Sequence, residues 1–178
     1  MIDVGLACCY IWGKQEDFIM VFMIAHMDIR NVPDDQHFAV AHCIAADLCW
    51  GGGVAPIINR EMFDAEKYCR YKCSTNPDGV VNELRVGEIL AVNGTGMKRK
   101  NVLVNLITKL RSPYKPTYES LTDSLHSLRN YAVMHGITKI YMPKIGCGID
   151  MLNWDVVQEI IKGVFYDTPI DIIIAVKD

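Results

Sequence analysis

The chain has 178 residues, of which 51% are hydrophobic and 22% are charged, and its formal net charge is −3. This length suits one well-buried domain and is short for two, and the acidic balance argues against a protein whose affinity depends on neutralising many nucleic-acid phosphates. Met1, Ile2 and Asp3 form no basic leader, and the longest unbroken apolar run, 18–25, is too short to span a bilayer. We therefore expect a protein that is neither exported nor inserted in a membrane.

Seven cysteines stand at positions 8, 9, 43, 49, 69, 73 and 147, with no CxxC pair and no regular framework. An odd, irregular set of this kind indicates reduced thiols in the cytoplasm or nucleus. Cys69 and Cys73 could share one face of a helix, but a zinc site needs two further ligands and no other pair has the usual spacing. The sequence predicts neither a metal nor another cofactor.

Six apolar runs have the length of strands, and several are continuous rather than alternating, which is typical of strands buried on both faces between helices. They cover residues 18–25, 38–44, 88–92, 102–107, 139–142 and 170–176. Within residues 1–17, the segment from Gly5 to Trp12 is a candidate for an extra edge strand.

Three helices are predicted between these strands. The clearest covers 117–136, because Tyr118, Leu121, Leu125, Leu128 and Ala132 recur at spacings of three and four. Another covers 154–165 with Asn153 as its cap, and a weaker one covers 55–73. Helices interleaved with buried strands predict a single domain over 1–178, in which a mixed, mostly parallel sheet lies between two helical layers (α/β/α).

Chemically useful residues follow three of the predicted strands. Gly146, Gly148 and Asp150 come after the strand 139–142, the segment 50–54 reads Trp-Gly-Gly-Gly-Val, and Lys109 ends the run 102–107. Glycines let backbone NH groups converge on a phosphate or a sugar hydroxyl. Because ligands of such sheets bind beyond the carboxyl ends of the strands, these features predict one site at that edge.

Four segments, taken together and in this order, resemble the macro domain family, which binds ADP-ribose. Within it they resemble the branch of terminal ADP-ribose protein glycohydrolase and O-acetyl-ADP-ribose deacetylase. The segments are 41–45 with 51–55, then 106–109, then 115–119, and finally 142–150 with Trp154 beyond it. The resemblance covers residues 18–178.

The resemblance implies a lysine nucleophile, Lys109, and an aspartate that moves protons, Asp150. It also implies a set of ligand-contacting residues: Asp28, Ile29, His42, Gly51, Gly52, Gly53, Val54, Thr108, Ile145, Gly146, Cys147, Gly148 and Ile149. The ligand would be ADP-ribose or an ADP-ribosylated substrate, with the nucleotide attached to a protein, a nucleic acid or an acyl metabolite, and the protein would act as a monomer.

Other interpretations remain open at this level. The triple glycine of residues 51–53 is closer to phosphatases that act on ADP-ribose 1″-phosphate, and a binding module without turnover would use the same fold. From the residues alone, His42 is a buried core histidine, Cys147 is small filler, and Lys115 and Tyr118 serve the start and packing of a helix. A dinucleotide dehydrogenase is disfavoured because no GxGxxG follows the first strand.

Overall fold

The computed structural model describes residues 10–11, 20–65, 68–69, 84–93 and 97–177. These residues contain seven strands and two α-helices. The strands are β1 (Tyr10–Ile11), β2 (Val21–His26), β3 (Phe38–Ala45), β4 (Ile89–Val92), β5 (Val102–Lys109), β6 (Lys139–Met142) and β7 (Asp171–Val176), and the helices are α1 (Tyr118–Met134) and α2 (Trp154–Phe165). A 3₁₀ turn (Ile29–Asn31) and a π-helical segment (Ile57–Phe63) complete the set.

The described strands form one sheet in the order β1-β2-β7-β6-β3-β5-β4. The edge pairs β1–β2 and β4–β5 are antiparallel, and every other neighbouring pair is parallel. The predicted mixed, mostly parallel sheet is therefore confirmed. It follows that β7, β6, β3 and β5 deliver their carboxyl ends side by side to one edge.

Two cores, one on each face of the sheet, explain why the strand sequences are continuously apolar. Leu121 and Leu125 of α1 and Ile161 of α2 pack on one face, while Ile58 and Phe63 of the π-helical segment pack on the other. Seven of the eight β5 residues are buried, because the strand lies between both cores. This arrangement confirms the three layers.

Capping fixes the two α-helices where the sequence predicts. Thr117 accepts a hydrogen bond from the Ser120 NH, and the Ser120 hydroxyl accepts one from the Thr117 NH, so a reciprocal capping box begins α1. Asn153 accepts from the Asp155 NH at the start of α2. Gly136, with φ 64°, follows the end of α1.

The predicted helix 55–73 takes a different form in its described part. After Ala55 and Pro56 the chain continues as the π-helical segment, which ends at Asp64 in the left-handed region with φ 53°. Residues 68–69 are helical, and 66–67 and 70–73 lie outside the described residues. Of the candidate edge strand between Gly5 and Trp12, the described residues form β1. No helix in the described part of the chain is long and apolar enough to cross a membrane.

Candidate active site

A cleft of about 550 Å³ opens at the carboxyl ends of β7, β6, β3 and β5. Neighbouring strands lie about 4.8 Å apart, so the β5 and β7 ends of the cleft are separated by roughly 14 Å. Five glycines and two strand-end lysines are among the residues that line the cleft: Gly51, Gly52, Gly53, Gly146, Gly148, Lys109 and Lys177. The cleft thus extends across four strand ends and is lined by two glycine-rich segments.

Lys109 and Asp150 form an ion pair at the β5 end of the cleft. The Lys109 Nζ donates to Asp150 Oδ1 across 2.6 Å, and the two side chains are 12% and 14% exposed. Such a short, charge-assisted bond in a partly desolvated position aligns the amine and the carboxylate on a common target. Both groups line the cleft, so an amine and a carboxylate are in contact within it.

The loop that carries Asp150 depends on a glycine with a left-handed backbone. Gly146 has φ 69°, its carbonyl accepts from the Leu152 NH at 2.8 Å, and a Cβ at this position would stand 2.8 Å from Leu152 Cδ1. The Met151 NH also donates to the Gly148 carbonyl at 3.1 Å. These bonds turn the chain sharply after β6 and place Asp150 beside Lys109.

The first glycine-rich loop is braced by Asp47. This carboxylate accepts bonds from the Cys49 NH, the Ser112 NH and the Ser112 hydroxyl at 3.2, 2.8 and 2.8 Å. Burial raises the pKa of Asp47, but the bonds from Ser112 and Cys49 outweigh burial and hold that pKa below its ordinary value. Asp47 therefore joins the loop after β3 to the loop after β5, next to Lys109.

Two cysteines line the cleft near the ion pair. Burial and the negative charge of Asp150 raise the pKa of the Cys43 thiol to about 12, and burial raises the pKa of Cys147. The Cys147 thiol donates to the Ile145 carbonyl at 3.2 Å. Because a thiol must lose its proton to attack, neither residue is set up as a nucleophile at neutral pH.

Four residues that the resemblance places at the ligand lie apart from the cleft lining. His42 and Thr108 are 0% and 1% exposed, so their side chains are not available to a ligand, and the His42 ring bonds to the Asn59 amide at 3.1 Å. Ile29 is buried. Asp28 binds Arg30 at 2.6 Å and Lys177 at 3.2 Å. Because β3 and β5 are buried on both faces, their sequences do not alternate between apolar and polar residues. The face of the sheet to which the His42 and Thr108 side chains point could therefore not be predicted.

The other predicted site residues come together. Lys109 and Asp150, residues 51–54 and residues 145–149 all line the cleft. Sequence reasoning did not assign Cys43, Ser112, Lys144 or Lys177, which line it as well. Lys177 directly follows β7, and Lys109 is the last residue of β5. Because both lysines stand at the carboxyl end of a parallel strand, this position is the sequence signal that could have identified Lys177 as a cleft residue.

A mixed sheet between two helical layers, with glycine-rich turns and a Lys–Asp pair at its carboxyl edge, defines an α/β domain with a cleft at the strand ends. The chain belongs to the macro domain family, because the family model described as Macro domain matches residues 41–161.

Curated relatives and solved structures agree with this assignment. The chain is 31% identical over 134 residues to the human protein named ADP-ribose glycohydrolase OARD1. The aligned residues cover 75% of this chain and 78% of the human one. The OARD1 protein of Bos taurus is 31% identical over an alignment that covers 77% of this chain and 80% of the bovine one. The macrodomain of Mycobacterium tuberculosis DarG superposes with a TM-score of 0.73 at 17% identity, covering 89% of this chain and 99% of that one. This last likeness concerns the fold.

Proposed function

We propose that this macro domain is a hydrolase that cleaves ADP-ribose conjugates at the anomeric carbon of the distal ribose, removing ADP-ribosyl or acyl groups. The observation that carries the proposal is the 2.6 Å contact between Lys109 Nζ and Asp150 Oδ1 inside the cleft. Two relatives with 31% identity over most of the chain are named ADP-ribose glycohydrolases, which supports a hydrolase acting on ADP-ribose conjugates.

The cleft suits a substrate laid across the four strand ends. Lys109 and Asp150 at the β5 end face the distal ribose, and the NH groups of residues 51–54 and 145–149 surround the diphosphate. The adenosine then extends toward β7 and Lys177. No arginine stands among the described residues that line the cleft, so the diphosphate is held mainly by oriented backbone dipoles.

The chemistry begins with a proton transfer within the ion pair. The Lys109 ammonium gives a proton to the Asp150 carboxylate, and the neutral amine attacks C1″ of the distal ribose. The new C1″–N bond replaces the C1″–O bond, whose electron pair leaves with the carboxylate of the departing acyl or side-chain group. This leaving group needs no proton, and the enzyme keeps a positively charged lysine adduct.

Hydrolysis of the adduct returns the enzyme to its starting state. Water adds to C1″ as the C1″–N bond breaks, and the proton lost by the water goes to the departing amine, restoring the ammonium. The proton held by Asp150 is released to solvent, so one proton and one carboxylate leave for each ester cleaved. A positioned acid or base of this kind contributes roughly 10²- to 10⁴-fold to a rate.

A second candidate is a phosphatase acting on ADP-ribose 1″-phosphate, and the triple glycine at 51–53 favours it. Three consecutive glycines carry no side chains of their own, so their backbone NH groups can approach an additional phosphate. A third candidate is a binding module without turnover, which needs only the glycine loops and has no use for the partly buried contact between Lys109 and Asp150.

Substrate comparison separates the three candidates. We expect the wild type to cleave ADP-ribose acetylated on its 1″ oxygen, which is the O-acetyl-ADP-ribose used in every assay below, and a glutamate-linked ADP-ribosyl protein. Lys109→Ala should lose this activity while still binding ADP-ribose by calorimetry. Lys144→Ala, which changes another lysine of the cleft, is the matched control. Release of phosphate from ADP-ribose 1″-phosphate with undiminished activity in Lys109→Ala would favour the phosphatase, and binding without any product would favour the module.

A further inference from the structure

The loop that carries Asp150 is held on both sides by one neighbouring segment. On the N-terminal side of Asp150, the Lys115 Nζ donates to the carbonyl oxygen of Ile149. On the C-terminal side, the Asn153 NH donates to the Tyr118 hydroxyl at 3.1 Å. Lys115 stands three residues before Tyr118, the first residue of α1, so one short segment holds the loop at two points.

The same segment is bonded to β5 directly beside Lys109. The Ser120 hydroxyl donates to the Thr108 carbonyl at 2.8 Å, and the Ser124 hydroxyl donates to the Ile107 carbonyl at 3.1 Å. The segment 115–124 therefore contacts Ile107 and Thr108 before the amine of Lys109 and the residues on both sides of Asp150. Among the described residues, this segment alone bonds both to β5, which carries Lys109, and to the backbone on each side of Asp150.

We propose that Lys115 and Tyr118 are positioning residues, which keep Asp150 Oδ1 in contact with Lys109 Nζ by clamping the loop between them. This inference rests on the proposed function. Lys115 is exposed and is not among the residues that line the cleft, so it acts through the Ile149 carbonyl rather than on the substrate. A lysine suits this task because its ammonium forms a charge-assisted bond at the end of a long stem.

Removing the clamp changes the rate of reaction more than the binding of substrate. A misplacement of about 1 Å in a catalytic group can cost about 10²-fold in rate. We therefore expect Lys115→Met to lower kcat on O-acetyl-ADP-ribose by about 10- to 10²-fold, with KM and the Kd for ADP-ribose unchanged within about threefold. Lys115→Arg restores part of kcat, because it keeps a cationic donor. Tyr118→Phe acts in the same direction, since it removes only the hydroxyl.

Lys98→Met is the matched control. The Lys98 Nζ also donates to a backbone carbonyl, that of Arg60 at 3.2 Å, and Lys98 is not among the cleft-lining residues. Loss of one lysine–carbonyl bond at that position leaves kcat unchanged. An equal fall of kcat in Lys98→Met would show a general loss of stability and would overturn the positioning role.

The test also includes a measurement that does not depend on turnover. Amide hydrogen exchange over residues 148–153 rises in Lys115→Met and in Tyr118→Phe, while exchange in α2 stays the same. Unchanged exchange over this loop overturns the positioning role, whether or not the wild type is active. An inactive wild type overturns the proposed function, which is a separate result. Parallel losses of kcat and of ADP-ribose affinity in Lys115→Met, without rescue by Lys115→Arg, would also overturn it, because Lys115 would then bind the substrate.

Discussion

Ile149 lies against the backbone of Gly52, so closely that a Cβ at position 52 would stand 2.9 Å from Ile149 Cδ1. The loop after β3 therefore meets the loop after β6 across the cleft. Ile149 is 60% exposed and covers this contact from outside. Because two glycine-rich loops converge here, the proposed function places the diphosphate between them, within reach of backbone NH groups of both loops.

This contact predicts that Gly52→Ala weakens the binding of ADP-ribose. The added methyl group displaces the end of the Ile149 side chain, which can rotate because it is 60% exposed, and we expect the Kd measured by calorimetry to rise by about threefold, or about 0.7 kcal/mol. Adding Ile149→Ala removes the colliding atom and recovers part of the affinity. Gly163→Ala in α2, where a Cβ meets nothing within 4 Å, is the control and leaves the Kd unchanged. Equal affinities in wild type and Gly52→Ala would contradict the packing described here.

Gly146 and Gly136 allow the cost of a backbone conformation to be separated from the cost of a collision. Both have positive φ, at 69° and 64°, but a Cβ at 146 meets Leu152 at 2.8 Å while one at 136 meets nothing within 4 Å. Gly136→Ala loses about 1–2 kcal/mol from its left-handed backbone alone. Gly146→Ala loses more and also loses turnover, since its loop carries Asp150. Urea denaturation checks the stabilities, and identical midpoints would count against the collision.

The buried His42 ring predicts a pH dependence of stability. Burial lowers the pKa of His42 from its ordinary value of 6.5 to about 4. Between these values the unfolded chain binds a proton that the folded protein does not, so stability is full above pH 6.5 and falls as the pH drops toward 4. The shift amounts to about 3 kcal/mol.

Replacing the ring tests this dependence. The difference in unfolding free energy between wild type and His42→Gln should shrink as the pH is lowered from 6.5 to 4, because only the wild type loses this contribution. A His42→Gln difference that does not vary with pH would mean that the ring is not held neutral by burial.

Asp150→Asn keeps the size of the side chain and removes its ability to accept the Lys109 proton. We expect kcat to fall by about 10²- to 10⁴-fold while ADP-ribose binding changes little, because the diphosphate is held by backbone groups elsewhere in the cleft. Asp155→Asn, which changes an exposed aspartate in the first turn of α2, should retain full activity. Steady-state kinetics on O-acetyl-ADP-ribose provide the measurement, and an Asp150→Asn enzyme with unchanged kcat would remove the proposed proton transfer.

Most of the sheet could be predicted from the sequence, because strands buried on both faces leave continuous apolar runs. The position of Lys109 at the end of β5 and of Asp150 in the loop after β6 follows from the same reasoning, since parallel strands bring their carboxyl ends to one edge. The π-helical form of Ile57–Phe63 could not be predicted, because an apolar pattern does not distinguish a π-helix from an α-helix.

Contacts between segments that are distant in the sequence could not be predicted either. The local pattern around Lys115 and Tyr118 predicts the start of a helix, and nothing in it indicates the bonds to Ile149 and Asn153. His42 sits in a strand whose neighbours on both sides are apolar, so no alternation shows that its ring turns toward Asn59 and away from the cleft.

Trapping of the lysine adduct tests the central claim most directly. The protein is incubated with ADP-ribose and borohydride, which reduces the imine that the lysine adduct forms when its ribose ring opens, and the modified residue is located by mass spectrometry after proteolysis. The account predicts one ADP-ribosyl adduct on Lys109, its retention in Lys144→Ala and its absence in Lys109→Ala. An enzyme that cleaves O-acetyl-ADP-ribose at an undiminished rate with Lys109 unlabelled, or as Lys109→Ala, would contradict the account.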